Sequence, residues 1–192
     1  MKTFLGICLL FATTLLIGCS TTTTKTNTDY FVKQVSELQA INNMNIGGKI
    51  ALLQKNSKLS SYLNIEINKD NFVFYLTSLT GDTIFKLTQE NDIATLVDSN
   101  GMVHEHSNTD ALVEGITGIN IPCKELKNIL LGEPNGYNHN RNEDGSLKDI
   151  TLDKYKIEYK RYQTINKYIV PKLITITGND IIIRININKW EL

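Results

Sequence analysis

The chain has 192 residues, the length of one domain after processing, and 41% of them are hydrophobic, enough to build a core. Its 20 basic and 20 acidic residues balance, so no global field points to a nucleic acid or an acidic partner. The one-sided basic patch of a nucleic-acid binder is not visible.

The N-terminus reads as a processing signal. Met1-Lys2 is a short basic region, and Phe4 to Ile17 is an apolar run too short for a comfortable membrane span. The run ends in Leu16-Ile17-Gly18-Cys19, which resembles a bacterial lipobox. That resemblance implies cleavage before Cys19 and acylation of its sulfur and amine. Residues 1–18 are then a signal peptide and 19–29 a lipidated N-terminus with a flexible polar tether (STTTTKTNTD). Residues 30–192 form the single folded domain. Ser20, in place of a retaining aspartate, points to the outer membrane. Cys8 leaves with the signal, so Cys123 is the only thiol of the mature domain, and no internal disulfide forms.

Asp29 is placed to cap a helix, and Phe31, Val35, Leu38 and Ile41 follow helical spacing over Tyr30 to about Ile41. From Asn45 the period becomes two: Ile46, Gly48, Ile50 and Leu52, then Leu63, Ile65 and Ile67, then Phe72, Phe74 and Leu76. Strands follow at 83–87, 93–97 and 103–106. Turn-like connections, Asn68-Lys69-Asp70-Asn71, Glu90-Asn91-Asp92 and Ser99-Asn100-Gly101, demand antiparallel neighbours, since parallel strands need a long crossover. A helix capped by Asn108 or Thr109 runs to about Gly115, and Ile121-Pro122 opens another that ends at Gly132. After a polar loop at 135–146, strands resume at 148–152, 156–162, 168–177 and 180–188. Ten or eleven strands and about three helices make a mainly β, α+β domain. A single antiparallel sheet of that size must curl or split. Curled, it is a barrel or half-barrel whose concave face helices cover and which can enclose an apolar cavity; split, it is a sandwich with a filled core.

Candidate chemistry is sparse. His104 and His106 share a strand face without an evident third ligand, and His139 stands in a distant loop, so no metal is expected. Cys123 beside Pro122 has no histidine near it in sequence and reads as a buried structural thiol. Asn142-Glu143-Asp144-Gly145 lacks the alternating spacing of a calcium loop. No nucleophile elbow, HExxH, phosphate loop or dinucleotide fingerprint occurs. The expectation is a binding or transfer protein, with no enzymatic activity and no cofactor.

One stretch stands out. In LTSLTGDT, residues 76–83, Leu79 occupies a turn tip where Gly, Asn, Asp, Ser or Pro is favoured. The segments LTSLTGDTIFKL and LVDSNGMVHEHSNTDALVEGITGINIPCKELKNILLGEP resemble the LolB family of outer-membrane lipoproteins. Asp98, Gly101, Leu112, Gly118, Ile121, Pro122, Leu126, Leu131, Gly132 and Pro134 fall on the family pattern, as do YKIEYKRY and the closing IRININKWEL. Departures are Ile129 for a frequent Trp, Tyr155 for another frequent aromatic, and Cys123 for Leu. The resemblance implies a strongly curved antiparallel half-barrel closed by a helical lid, with an apolar cavity for acyl chains. It implies a monomer that accepts lipoproteins from a LolA-like periplasmic carrier and incorporates them into outer-membrane lipid. Phe72, Phe74, Ile183 and Ile185 are the expected cavity lining. The family turn carries a protruding leucine that serves membrane delivery. Aligning the glycines puts that leucine on Thr80, whereas by chemistry it is Leu79. The other class left open is a structural or sensory envelope lipoprotein on a similar half-barrel.

Overall fold

The computed structural model describes residues 22–192, so the signal sequence and Cys19 lie outside the described residues. Eleven strands form one antiparallel sheet. Six run in succession from the middle to one edge: β1 (Asn43–Gln54), β2 (Ser57–Asn68), β3 (Asn71–Thr77), β4 (Thr83–Glu90), β5 (Ile93–Asp98) and β6 (Val103–His106). The chain then crosses through helices α2 (Thr109–Thr117) and α3 (Leu126–Leu131) to the opposite edge. It returns inward as β7 (Asn138–Arg141), β8 (Leu147–Leu152), β9 (Tyr155–Ile165), β10 (Tyr168–Thr177) and β11 (Ile181–Glu191). The two meanders meet where β11 pairs with β1. The sheet stays open, with β6 and β7 as its edges. Both edges are four residues long and polar, VHEH and NHNR, which blunts them against further strand pairing.

Strict alternation gives the sheet one apolar face. Leu63, Ile65 and Ile67 of β2, Phe74 and Leu76 of β3, Phe85 and Leu87 of β4, and Ile181, Ile183, Ile185 and Ile187 of β11 are all buried. Trp190 breaks the parity of β11 yet is buried too. A bulge allows this: Lys189 pairs with Gly47 but Ile187 pairs with Gly48, so Asn188 is the extra residue. The strands press close here, and a Cβ on Gly48 would lie 2.3 Å from the Asn186 carbonyl oxygen.

Three elements differ from the sequence expectation. Helix α1 spans Thr22–Gln39, so it starts eight residues before Tyr30 and Asp29 lies inside it rather than capping it. The extension packs against the β7–β8 turn, where a Cβ on Gly145 would come within 2.6 Å of the Asn27 carbonyl carbon. Phe31 meets Tyr162 edge-on at 6.3 Å, and Gln34 holds both backbone polar groups of Ile169 at 2.7 Å. Helix α3 begins at Leu126, not at Pro122. Ile121 to Glu125 instead makes successive tight turns, with Glu125 N donating to Pro122 O and Leu126 N to Cys123 O. Strand β7 lies inside the stretch 135–146 expected to be loop. As an edge strand exposed along most of its length, it shows no apolar alternation to betray it.

A lidded apolar interior and an exposed apolar rim

Helices α1, α2 and α3 bury apolar residues in the same core as the sheet's apolar face: Leu38 of α1, Leu112 and Val113 of α2, and Leu126, Ile129 and Leu130 of α3. Of the expected lining residues, Phe74, Ile183 and Ile185 lie in this core and are no more than 4% exposed. The interior around them is filled by the protein's own side chains. Phe72 is half-buried at one end of the sheet, where it borders a cleft of about 700 Å³. Among the described residues Phe72 is its one apolar residue, and the charged and amide side chains of Asp70, Gln89, Lys124 and Lys127 among its walls do not suit an acyl chain.

Helices α2 and α3 with the loop between them, residues 109–131, form the lid. Asn108 caps α2 by accepting from Ala111 N at 3.0 Å, and Gly118 ends the helix in the left-handed conformation (φ 68°) that glycine favours. Asp110 Oδ1 accepts from Lys124 N at 3.0 Å, which staples the two halves of the lid together. Hydrogen bonds reach from the lid to both arms of the sheet. Thr109 donates to Gln89, and Lys127 Nζ donates to Lys69 O at 2.7 Å, on the first arm. On the second, Tyr155 donates to Asn120, and Tyr159 donates to Ile129 O at 3.0 Å. Sequence reasoning missed these latches, because each joins residues 20 or more apart in the chain.

Burial shapes the titration of the interior. Desolvation raises the Tyr155 phenol to about 12, and Asp110 and Glu114 add to the effect. Desolvation also pushes Tyr159 and Tyr162 well up. Cys123, 2% exposed, has its thiol driven far above its ordinary value by burial, with Asp110 adding to it. A group so held stays a thiol at neutral pH and is no nucleophile. Three buried side-chain polar atoms, Asn45 Oδ1, Ser61 Oγ and Trp190 Nε1, have no hydrogen-bond partner among the described residues.

The structure does not gather the other candidates. His104 Nε2 lies 3.3 Å from Asp98, His106 Nδ1 accepts from Asn108 N at 2.8 Å, and His139 stands on the opposite edge strand bonded to Tyr137 O. Asp144 accepts from the amide and hydroxyl of Ser146 in an ordinary turn. Among the described residues no three metal-ligating side chains converge.

At the β3–β4 turn, Ser78 N donates to Asp82 O at 2.8 Å and Gly81 N to Ser78 O at 3.1 Å. Thr80 Oγ1 donates to Asp82 Oδ2 at 2.7 Å and lies 2.7 Å from Ser78 Oγ. The turn's polar side chains thus bond to one another. Leu79 is left outside this ring, 58% exposed.

An open antiparallel half-barrel with an apolar concave face under a helical lid is a LolA-like fold. A crystal structure of a LolA superfamily protein from Nitrosomonas europaea shares it, with a TM-score of 0.52 over 86% of this chain and 93% of that one, at 6% identity. The sequence profile of the family described as outer membrane lipoprotein LolB matches residues 42–190. The outer-membrane lipoprotein LolB of Aeromonas salmonicida is 31% identical over the whole of this chain and 99% of its own length. That of Aeromonas hydrophila is 29% identical over 93% of this chain and 92% of its own length. The chain belongs to the LolB family of outer-membrane lipoproteins.

Proposed function

We propose that the protein receives lipoproteins from a LolA-like periplasmic carrier and passes them into the outer membrane. In this reading it shelters their acyl chains between the concave sheet face and the lid. Acylated Cys19 anchors it. The observation that supports the reading best is the continuous apolar face of the nine consecutive strands from β5 to β8, beneath a lid latched at its margins by a handful of side-chain hydrogen bonds.

An acyl chain of roughly fifteen methylenes represents about 12 kcal/mol of hydrophobic free energy, at about 0.8 kcal/mol per CH₂. It cannot cross water unshielded, so a receptor must bury it from carrier to bilayer. Displacing the lid opens the face lined by Phe74, Ile183 and Ile185. Dispersion and hydrophobic contacts are weakly directional, so the handover is selective for an acyl chain as a class. It needs no covalent step. Leu79, at the apex of its turn, inserts into the acyl boundary and aims the protein at the bilayer.

The test is to mix the purified protein with acyl-loaded carrier and pull the protein down. Lipoprotein should come with it. Lipoprotein remaining on the carrier would sink the reading.

A further inference from the structure

We propose that the β5–β6 turn is a second lipid-contact tip, so that the protein meets the bilayer surface along a rim of two neighbouring hairpins. This rests on the membrane-delivery reading above and extends it to residues outside the Leu79 turn. Met102 and Val103 are 58% and 61% exposed, as open to solvent as Leu79. Topology puts them on the same end of the sheet. The β3–β4 and β5–β6 turns both close hairpins at that end, while the β4–β5 turn lies at the other. The two tips are two strand spacings apart, about 10 Å. Helix α2 finishes toward this end as well, since Asn120 beyond it meets Tyr155 at the start of β9, and Ile116 in its last turn is exposed.

The two turns are built alike. In each, one aspartate ties the turn together while an apolar side chain is left outside. Asp82 accepts from Ser78 and Thr80 in the first. Asp98 Oδ1 accepts from Asn100 N at 2.8 Å and Met102 N at 3.1 Å in the second. The exposed apolar residues are thus presented by ordered turns. At the opposite end the turns carry Lys69-Asp70, Asn91-Asp92 and Asn166-Lys167, and among the described residues no turn tip there presents an apolar side chain. The exposed apolar residues there are Ile93 at the start of β5 and Tyr30 and Val32 on α1, where Tyr30 bonds to Lys167 O.

A lipid surface fits this rim better than a protein does. The exposed apolar atoms sit on separated convex tips, which can enter a fluid acyl boundary but enclose no groove for a partner's side chain. The β1–β2 turn, on the same end, adds exposed Lys55 and Lys58, neither in a salt bridge among the described residues and both suited to anionic headgroups. Family membership puts a lipid surface within reach of the protein.

The experiment uses the acylated full chain in vesicles of phosphatidylethanolamine and phosphatidylglycerol. A nitrobenzoxadiazole probe is placed on Leu79→Cys, Met102→Cys or, as a far-end control, Asn91→Cys. Burial of Cys123 keeps the labelling selective. Brominated lipid should quench the probes at 79 and 102 and leave the probe at 91 bright. A probe at 102 as bright as that at 91, with 79 quenched, would overturn the second tip and leave the receptor reading intact. Bright probes at both 79 and 102 would remove both tips. In a loaded-carrier assay, Met102→Glu with Val103→Glu should leave acceptance and the melting temperature unchanged. It should slow release into vesicles about tenfold, the equivalent of roughly one partly buried apolar side chain. Lost acceptance with unaltered release would instead assign the hairpin to carrier docking and overturn the proposal.

Discussion

Leu79 is the residue at which local preference and function diverge. Its turn satisfies its own polar groups through Ser78, Thr80 and Asp82, so the leucine contributes nothing to holding the turn. Leu79→Glu should therefore leave the melting temperature within about 1 °C, as exposed substitutions do. Acceptance from the carrier should persist while release into vesicles falls by about tenfold or more, since burying a leucine in an acyl boundary gains roughly 1.5–3 kcal/mol. Thr80→Glu should instead loosen the turn by removing the hydroxyl that Asp82 accepts from, with a smaller effect on release. If Thr80→Glu alone blocks release, the leucine is not the probe. The anomaly at position 79 was legible in sequence because it violates a turn preference. That Thr80 is drawn back into the hydrogen-bonded ring was not, because hydroxyl direction has no sequence signature. Gly48 shows a different kind of residue. Gly48→Ala puts a Cβ against the Asn186 backbone, and urea titration should show a loss of about 3 kcal/mol.

Among the elements, hairpins read most cleanly, because period two and short polar turns coincide from β1 to β5 and again from β8 to β11. The misses have one cause. Strand β7, the early start of α1 and the late start of α3 are each decided by what they pack against rather than by their own pattern. The lid's contact with the second arm is of the same kind, and it has a consequence for pH. Tyr155 and Tyr159 latch the lid as neutral phenols. Tyr155 is raised from 10.0 to about 12 in the fold, and Tyr159 and Tyr162 are raised too, each with desolvation as the main cause. A raised folded value means the stabilisation is complete below pH 10 and is lost as pH rises through about 12. Stability should hold up to about pH 10 and fall steeply beyond it. Absorbance at 295 nm should then show part of the phenols ionising together with the loss of circular dichroism. Gradual ionisation of every tyrosine ahead of unfolding would contradict this. Tyr159→Phe should flatten the alkaline fall and cost about 1 kcal/mol at neutral pH for the lost hydrogen bond to Ile129 O.

For the molecule as a whole, the pairing that matters most, β1 with β11, joins the two ends of the domain and was invisible to local pattern. It makes one curved face out of two meanders, and the family resemblance, not periodicity, separated half-barrel from sandwich. The closed interior then sets a condition on function. Phe74, Ile183 and Ile185 are nearly inaccessible, so an acyl chain reaches them only if the lid moves or the core rearranges. Cys123 reports on which of these happens. It sits in the lid, 2% exposed, with its thiol kept protonated by burial, so it should react very slowly with a maleimide or disulfide reagent at pH 8. Adding acyl-loaded carrier, or a detergent-like acyl ligand, should speed that reaction at least about tenfold if residues 109–131 swing away, because the latch at Asp110 and Lys124 flanks the thiol. An unchanged rate during demonstrable acyl binding would mean that the lid stays seated and the chain enters by repacking the side chains of the sheet. Asp110→Ala should raise the basal rate in the absence of ligand, by freeing Lys124 N from its staple. A basal rate that does not change would show that the apolar contacts of Leu112, Val113, Leu126 and Ile129, rather than the polar latch, hold the lid down.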